Sequence, residues 1–185
     1  MMRGKTDLAV WAGILLWLFL CVPPVDRLFD EMMALHMLGQ IPLLIFSGIL
    51  AGRALPQKEL TPWDQNGLSS LFFFLGSLAF WMLPVSLDGA VESSWEDILM
   101  HCNFLIAGAL VPGALSRMSF AVRAAAGIYL TAMLASAAMT WLYTESLICT
   151  VYTIEMQQET GRLLLWALPV FFTVHVVTLF RGLRR

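Results

Sequence analysis

Six uncharged apolar runs, separated by short charged blocks, constrain this chain more than any other feature. They are Leu8 to Val25, Met32 to Gly52, Leu68 to Leu87, Ile98 to Ser116, Ala124 to Thr144 and Leu163 to Phe180. Each is about 18 to 21 residues long, which at ~1.5 Å per helical residue spans the ~30 Å hydrocarbon core of a bilayer. With 59% hydrophobic and 13% charged residues, the chain holds more apolar surface than one water-facing shell can hide, so lipid is the expected solvent. The runs are continuously apolar and show no alternation of period two, which excludes a transmembrane β-barrel. The expected fold is therefore all-α: a single-domain integral membrane bundle of about six transmembrane helices.

The first run follows Arg3 and Lys5, as a secretory signal would, but it ends in Cys21-Val22-Pro23-Pro24 without a small-x-small cleavage site. It reads as an uncleaved helix. Charge gives the orientation. Arg3, Lys5, Arg53, Lys58, Arg117, Arg123, Arg181, Arg184 and Arg185, nine of the eleven Lys and Arg residues, fall on one side of the six runs. The other side carries Asp26, Asp30, Glu31, Asp88, Glu92, Glu96, Asp97, Glu145, Glu155 and Glu159, ten of the thirteen acids. By the positive-inside rule both termini are expected in the cytoplasm, with acidic outer loops at 26–31, 88–97 and 145–162. The last of these is expected to hold an interfacial segment, Leu147 to Ile154. The expected location is a bacterial inner membrane.

Pro42, Pro84, Pro112 and Pro169 fall inside or near the ends of apolar runs, where each removes a backbone donor and favours a kink. Gly48 and Gly52 form a GxxxG in the second run, and the fifth is rich in small residues from Ala124 to Ala138. Both are surfaces for close packing between helices or subunits. The segment from Arg53 to Gly67 contains the turn formers Pro56, Pro62 and Asn66-Gly67 and no nucleotide-binding or catalytic motif.

No Ser/His/Asp set, intramembrane carboxylate pair or Gly-rich phosphate loop exists to support hydrolysis or phosphoryl transfer, so the expectation is binding without turnover. What the sequence does hold is an uneven distribution of soft and borderline metal ligands. The second run begins Met32-Met33-Ala34-Leu35-His36-Met37-Leu38-Gly39-Gln40, and helical spacing puts Met32, Met33, His36 and Gln40 near one face. The fourth begins Ile98-Leu99-Met100-His101-Cys102-Asn103. His36 and His101 follow the last charge by a similar interval, which sets both about 6 to 8 Å below the outer boundary. Two histidines at matched depth can share one ligand, and an ionisable residue inside a membrane helix marks a functional site.

The candidate metal set is His36, His101, Met33, Met37, Met100 and Cys102, with Gln40 orienting His36. Thioether, thiolate and imidazole together favour Cu(I). Cys21, Met82, Met139, Cys149 and Met156 collect at the same level. At most one disulfide is expected, Cys21 with Cys149, leaving Cys102 free. His175 reads as a hydrogen-bonded structural histidine. The alternatives are a b-type haem held between His36 and His101 in an electron-transfer subunit, and a non-catalytic accessory subunit that docks through its small-residue faces. Expected partners are the lipid bilayer and another membrane protein or respiratory complex, not nucleic acid.

At His36-Met37-Leu38-Gly39-Gln40-Ile41-Pro42-Leu43-Leu44, and again at Trp95 to His101 and Phe104 to Gly108, the chain resembles the CtaG-type membrane proteins associated with assembly of cytochrome c oxidase. Gln40 stands where that family has a second histidine, and the chain is shorter, with fewer spans. The resemblance implies a divergent, short relative with a role in copper delivery or oxidase maturation at the outer membrane face, with His36 and His101 as the matching positions.

Overall fold

The computed structural model describes residues 2–55 and 62–183. Pro56 and Lys58 of the expected inner loop and the C-terminal Arg184 and Arg185 lie outside the described residues. All regular structure among the described residues is helical, with no strand.

The chain runs through α1 (Met2–Leu20), α2 (Pro23–Asp30) and α3 (Met33–Leu35) into a π-helical turn (His36–Gln40), then α4 (Ile41–Ala51) and a 3-10 turn (Gly52–Ala54). It continues as α5 (Leu68–Trp81), α6 (Pro84–Glu92), α7 (Ser94–Arg117), α8 (Phe120–Tyr143) and α9 (Ile154–Leu183). Four stretches are long and apolar enough to cross a membrane: Met33–Ala54, Ser94–Arg117, Phe120–Tyr143 and Ile154–Phe180. Counting each of two sharply bent helix pairs as one span raises the number to six.

Those bent pairs correct two of the expected runs. The first does not continue to Val25: α1 ends at Leu20 and α2 leaves at 70°. Val22 is extended, with φ −72° and ψ 122°, and Pro23 opens α2. A residue before proline is driven out of the α region, and proline itself fits the first turn of a new helix, so Pro23-Pro24 both stops one helix and starts the next. The third run breaks by the same device. Leu83 is extended ahead of Pro84, and α6 departs at 75° from α5. Pro112 and Pro169 instead sit within continuous α7 and α9.

α9 also starts nine residues before its apolar run. Its first turns carry charges, but Gln157, Thr160, Gly161 and Leu164 are buried while Glu155, Glu159 and Arg162 are exposed. This i, i+3, i+4 pattern makes an amphipathic extension of the apolar helix. In the segment Leu147 to Ile154, expected to be interfacial, residues 147–153 form a folded loop and Ile154 opens α9. The Gln157 amide donates to the carbonyls of Cys149 and Tyr152 (3.1 and 3.0 Å), and Asp88 accepts from the backbone and hydroxyl of Thr150 (2.7 and 2.8 Å). Cys149 and Tyr152 are thereby carried into the core.

α4 is the centre of the bundle, packed between α1 and α7. Glycine makes that possible: a Cβ on Gly48 would meet the Leu105 carbonyl, one on Gly52 the Ala109 carbonyl, and one on Gly108 the Ile45 carbonyl. The GxxxG is thus an α4–α7 contact within the chain, where small residues let backbones touch. The α8–α9 hairpin is peripheral, with 6% of each apolar window buried against 44% for Met33–Ala54. Large apolar side chains face outward along the bundle, among them Trp11, Phe72, Val85 and Trp166, as lipid-facing surfaces require.

At the arginine-rich end, Asp64 ties the bundle together. Its carboxylate accepts from the Ser69 amide (3.0 Å), the Ser70 hydroxyl (2.6 Å) and the Arg117 guanidinium (2.6 Å). Burial pushes this carboxyl up, but the hydrogen bonds from Ser70 and Arg117 outweigh it and hold it below the ordinary carboxylate range. Gly67, with φ +70°, makes the turn into α5 that a side chain would obstruct.

Candidate functional site

Three helical segments, α2, the π-turn and the start of α7, converge at the opposite end of the bundle. Because α2 bends back over it, Asp26 and Asp30, one helical turn apart, both face inward beside Val25 and Phe29. Beneath α2 lies the π-turn. Pro42 follows it closely and has no amide hydrogen for a regular i−4 bond, and the wider i−5 spacing absorbs that gap. His36, Met37 and Gln40 in the turn, and Met33 before it, are all buried; Met32 lies before the helix and is exposed. The third contributor is the first turn of α7, where Asp97 and His101 are four residues apart.

The imidazoles form the floor, 0% and 1% exposed for His36 and His101, and three carboxylates form the rim, each side chain 17% exposed. His36 Nδ1 donates to Asp30 (3.0 Å). His101 Nδ1 donates to the Asp97 carbonyl (3.0 Å) and lies 2.9 Å from a carboxylate oxygen of the same residue. Carboxylate and carbonyl oxygens can only accept, so both histidines are held with hydrogen on Nδ1, and in the neutral ring Nε2 is then the acceptor. This is the carboxylate–histidine arrangement that orients imidazole for a metal.

His36 Nε2 is buried and meets no protein partner. His101 Nε2 faces the Asp26 carboxylate at 3.6 Å. The Gln40 side-chain amide joins them, donating to Asp26 (2.7 Å) and to His101 Nε2 (3.3 Å), while its own carbonyl oxygen is buried without a partner. Ligand atoms of Asp26, Asp97 and His101 all lie within 4.8 Å of one another. Donors bound at ~2.0 to 2.2 Å to a tetrahedral ion stand roughly 3.4 Å apart, close to the Asp26–His101 separation. Three buried polar atoms without a hydrogen-bond partner (His36 Nε2, Gln40 Oε1 and Asp97 Oδ1) and a carboxylate-rich rim make this a site that fits a cation.

The surroundings hold it rigidly. Trp17 of α1 donates to the His101 carbonyl (3.1 Å), and Trp81 of α5 donates to Asn103 (3.2 Å). Tyr152, in the 144–153 loop, is buried and interacts with Asp30; burial first, and Asp30 next, push its hydroxyl up, so it stays protonated. Burial and then Asp88 push the Cys149 thiol up to about 12, which makes it inert.

Of the residues expected from sequence, His101 joins the Asp26–Gln40–Asp97 group, while His36, on the same π-turn as Gln40, is bonded to Asp30. Met33, Met37 and Met100 belong to the apolar core on the same turns, and Cys102 is half-buried beside His101. Three expectations are corrected. Asp30, not Gln40, orients His36, because Gln40 turns toward Asp26 and His101. Cys21, Cys102 and Cys149 are all free thiols, so Cys21 and Cys149 are not bridged. His175 is not internally satisfied, since its buried Nε2 has no partner. Sequence reading missed Asp26, Asp30 and Asp97 as site residues. Their signal was present in the one-turn spacings Asp26 to Asp30 and Asp97 to His101, but it needs the bend at Pro23 to become a site. Comparison with family models, characterised proteins and solved structures yields no match to this chain.

Proposed function

We propose that this chain is a copper-handling membrane protein that binds the ion without turnover, at a site built from Asp26, Asp97 and His101 with His36 beside them. The observation that carries this reading is the cluster of ligand atoms from Asp26, Asp97 and His101, all within 4.8 Å of one another, with His101 Nε2 3.6 Å from Asp26. An ion among them would be ligated by two carboxylates and an imidazole. Imidazole and carboxylate suit Cu(II) among the borderline ions. Met33, Met37, Met100 and Cys102 add soft donors near the same turns, which suit Cu(I). Copper is the ion that uses both sets, and a site passing it between partners would draw on each.

In this reading the six spans place both termini in the cytoplasm of a bacterial inner membrane, and the site opens at the outer face. The acidic rim then concentrates cations from that side. The resemblance to CtaG-type proteins supports a role in assembling a copper-containing respiratory complex, with a membrane protein as the recipient.

Metal analysis of natively purified protein, followed by competition with a copper chelator, tests this. Wild type retains copper, Asp26→Asn and His101→Ala lose it, and His175→Ala retains it. Equal retention by wild type and the His36→Ala/His101→Ala double variant removes copper from the account. A Soret band in the purified protein would transfer His36 and His101 to the haem alternative.

A further inference from the structure

The peripheral α8–α9 hairpin stands off from α4 and α5, and the gap between them is a cleft of about 450 Å³. Its walls are apolar throughout, including Met37 of the π-turn, Ile45 and Ile49 of α4, Leu78 of α5, Leu134 of α8 and Leu168 of α9. From Met37 in the π-turn to Ile49 in α4 it runs about 18 Å at the helical rise. That is close to one leaflet, half of a ~30 Å hydrocarbon core. A dry cleft of this size offers water no polar partner, and left empty it forfeits the contacts of every side chain that lines it. In a bilayer the available filler is hydrocarbon.

The cleft adjoins a second cavity. Phe74, Leu130 and Phe171 also line a smaller chamber of about 120 Å³, whose other walls include Ser70, Arg123 and His175. Arg123 lies in the first turn of α8, at the arginine-rich end of the bundle. Its Nε and the His175 Nε2 are buried atoms with no protein partner. Gly127, one turn after Arg123, has no side chain, and the His175 ring occupies the space its Cβ would take. The nearby acid Asp64 is already engaged by Ser70 and Arg117. An apolar cleft about one leaflet long therefore shares a wall with a small, mainly apolar chamber that holds two unpartnered nitrogen atoms, Arg123 Nε and His175 Nε2, the first on a permanent cation.

We propose that this cleft and the adjoining chamber together form a binding site for an anionic phospholipid, with its phosphate on Arg123 and His175 and one acyl chain lying between the α8–α9 hairpin and α4–α5. A guanidinium matches phosphate oxygens in a planar, directional way that a choline-shielded surface contact does not require. The second acyl chain remains in the bilayer.

The test uses the full chain, delipidated in mild detergent and reconstituted in nanodiscs containing phosphatidylglycerol and phosphatidylcholine, with bound lipid read by native mass spectrometry. Wild type should retain one phosphatidylglycerol per chain in preference to phosphatidylcholine. Losing a charge-assisted contact should weaken that retention about tenfold in Arg123→Gln. Leu134→Trp, which fills the cleft and leaves Arg123 in place, should also displace the lipid, so the proposal does not depend on one variant folding. Undiminished retention by both variants overturns it, as does equal retention of the two lipids by wild type. Inorganic phosphate binding as tightly as the lipid would overturn the assignment of the cleft to an acyl chain.

Discussion

Replacing Asp26 by Asn should have opposite effects on stability with and without metal. In the metal-free protein Asp26 and Asp97 hold like charges within 4.8 Å of each other. At an effective dielectric of ~20 that is a repulsion of about 3.5 kcal/mol. Each carboxylate is 17% exposed, and salt reduces the net penalty to about 1 to 2 kcal/mol. Asparagine keeps the oxygen that accepts from Gln40, so Asp26→Asn removes the repulsion without breaking that hydrogen bond. The metal-free variant should therefore unfold several degrees above wild type, at roughly 2 to 4 °C per kcal/mol for a chain of this size. Copper reverses the order. At a hundredfold excess over Kd a bound ion stabilises wild type by about 2.7 kcal/mol, and the variant has lost a ligand. The assay is thermal unfolding followed by tryptophan fluorescence, with chelator or with copper, at a mildly alkaline pH where the carboxylates are charged. A variant less stable than wild type in chelator, with an undiminished copper shift, would refute the reasoning. Asp26 would then be a structural anchor for α2.

Three further outcomes follow from the fold. Gly48→Ala drives a Cβ into the backbone of α7 at Leu105 and Gly108; it should cost about 1 to 3 kcal/mol, read as a lower unfolding midpoint, whereas Gly76→Ala, with open space around its Cβ, should not. The Asp64 carboxyl is held below its ordinary value of 3.8, so its contribution is present above that pH and is lost as pH falls through the lower folded value; an acid titration of Asp64→Asn against wild type should converge there, and a constant difference down to the lowest pH would count against the Asp64–Arg117 clamp. In a cysteine-free background, Ser93→Cys should react with an impermeant reagent added outside intact cells and Gln57→Cys should not, the reverse pattern overturning the proposed orientation.

Much of this architecture was legible because hydropathy reports burial against lipid directly. The long helices α7 and α8 follow their apolar runs, and Gly48 and Gly52 mark a close helix contact as their spacing predicts. What hydropathy cannot report is direction. The run from Leu8 to Val25 reads as one span because Pro23 and Pro24 are themselves uncharged, yet they turn the chain by 70°. The run ending at Leu87 hides the break at Pro84 in the same way. Charged residues are misread in the complementary sense: Glu155, Glu159 and Arg162 end the sixth apolar run but not its helix, since they occupy one exposed face while Gln157 and Thr160 occupy the buried one.

The candidate site depends on that missing direction. Counting residues from the last charge brings His36 and His101 to a common level, because depth along a helix is a one-dimensional property. Their carboxylate partners are not set by depth. Asp26 and Asp30 read as loop acids while α2 is taken for the end of a span and the start of a turn. Once Pro23 folds α2 back, the one-turn spacing that places both on one face aims them at Gln40, His101 and His36. A proline pair that breaks a membrane helix thus carries Asp26 and Asp30 over a buried histidine floor, where Asp30 fixes the His36 ring through Nδ1. The same logic explains why the methionines were easier to see and harder to assign. Met33, Met37 and Met100 share turns with the site, but thioethers also fill apolar cores, and only the carboxylate–imidazole geometry distinguishes a place for an ion from well-packed sulfur.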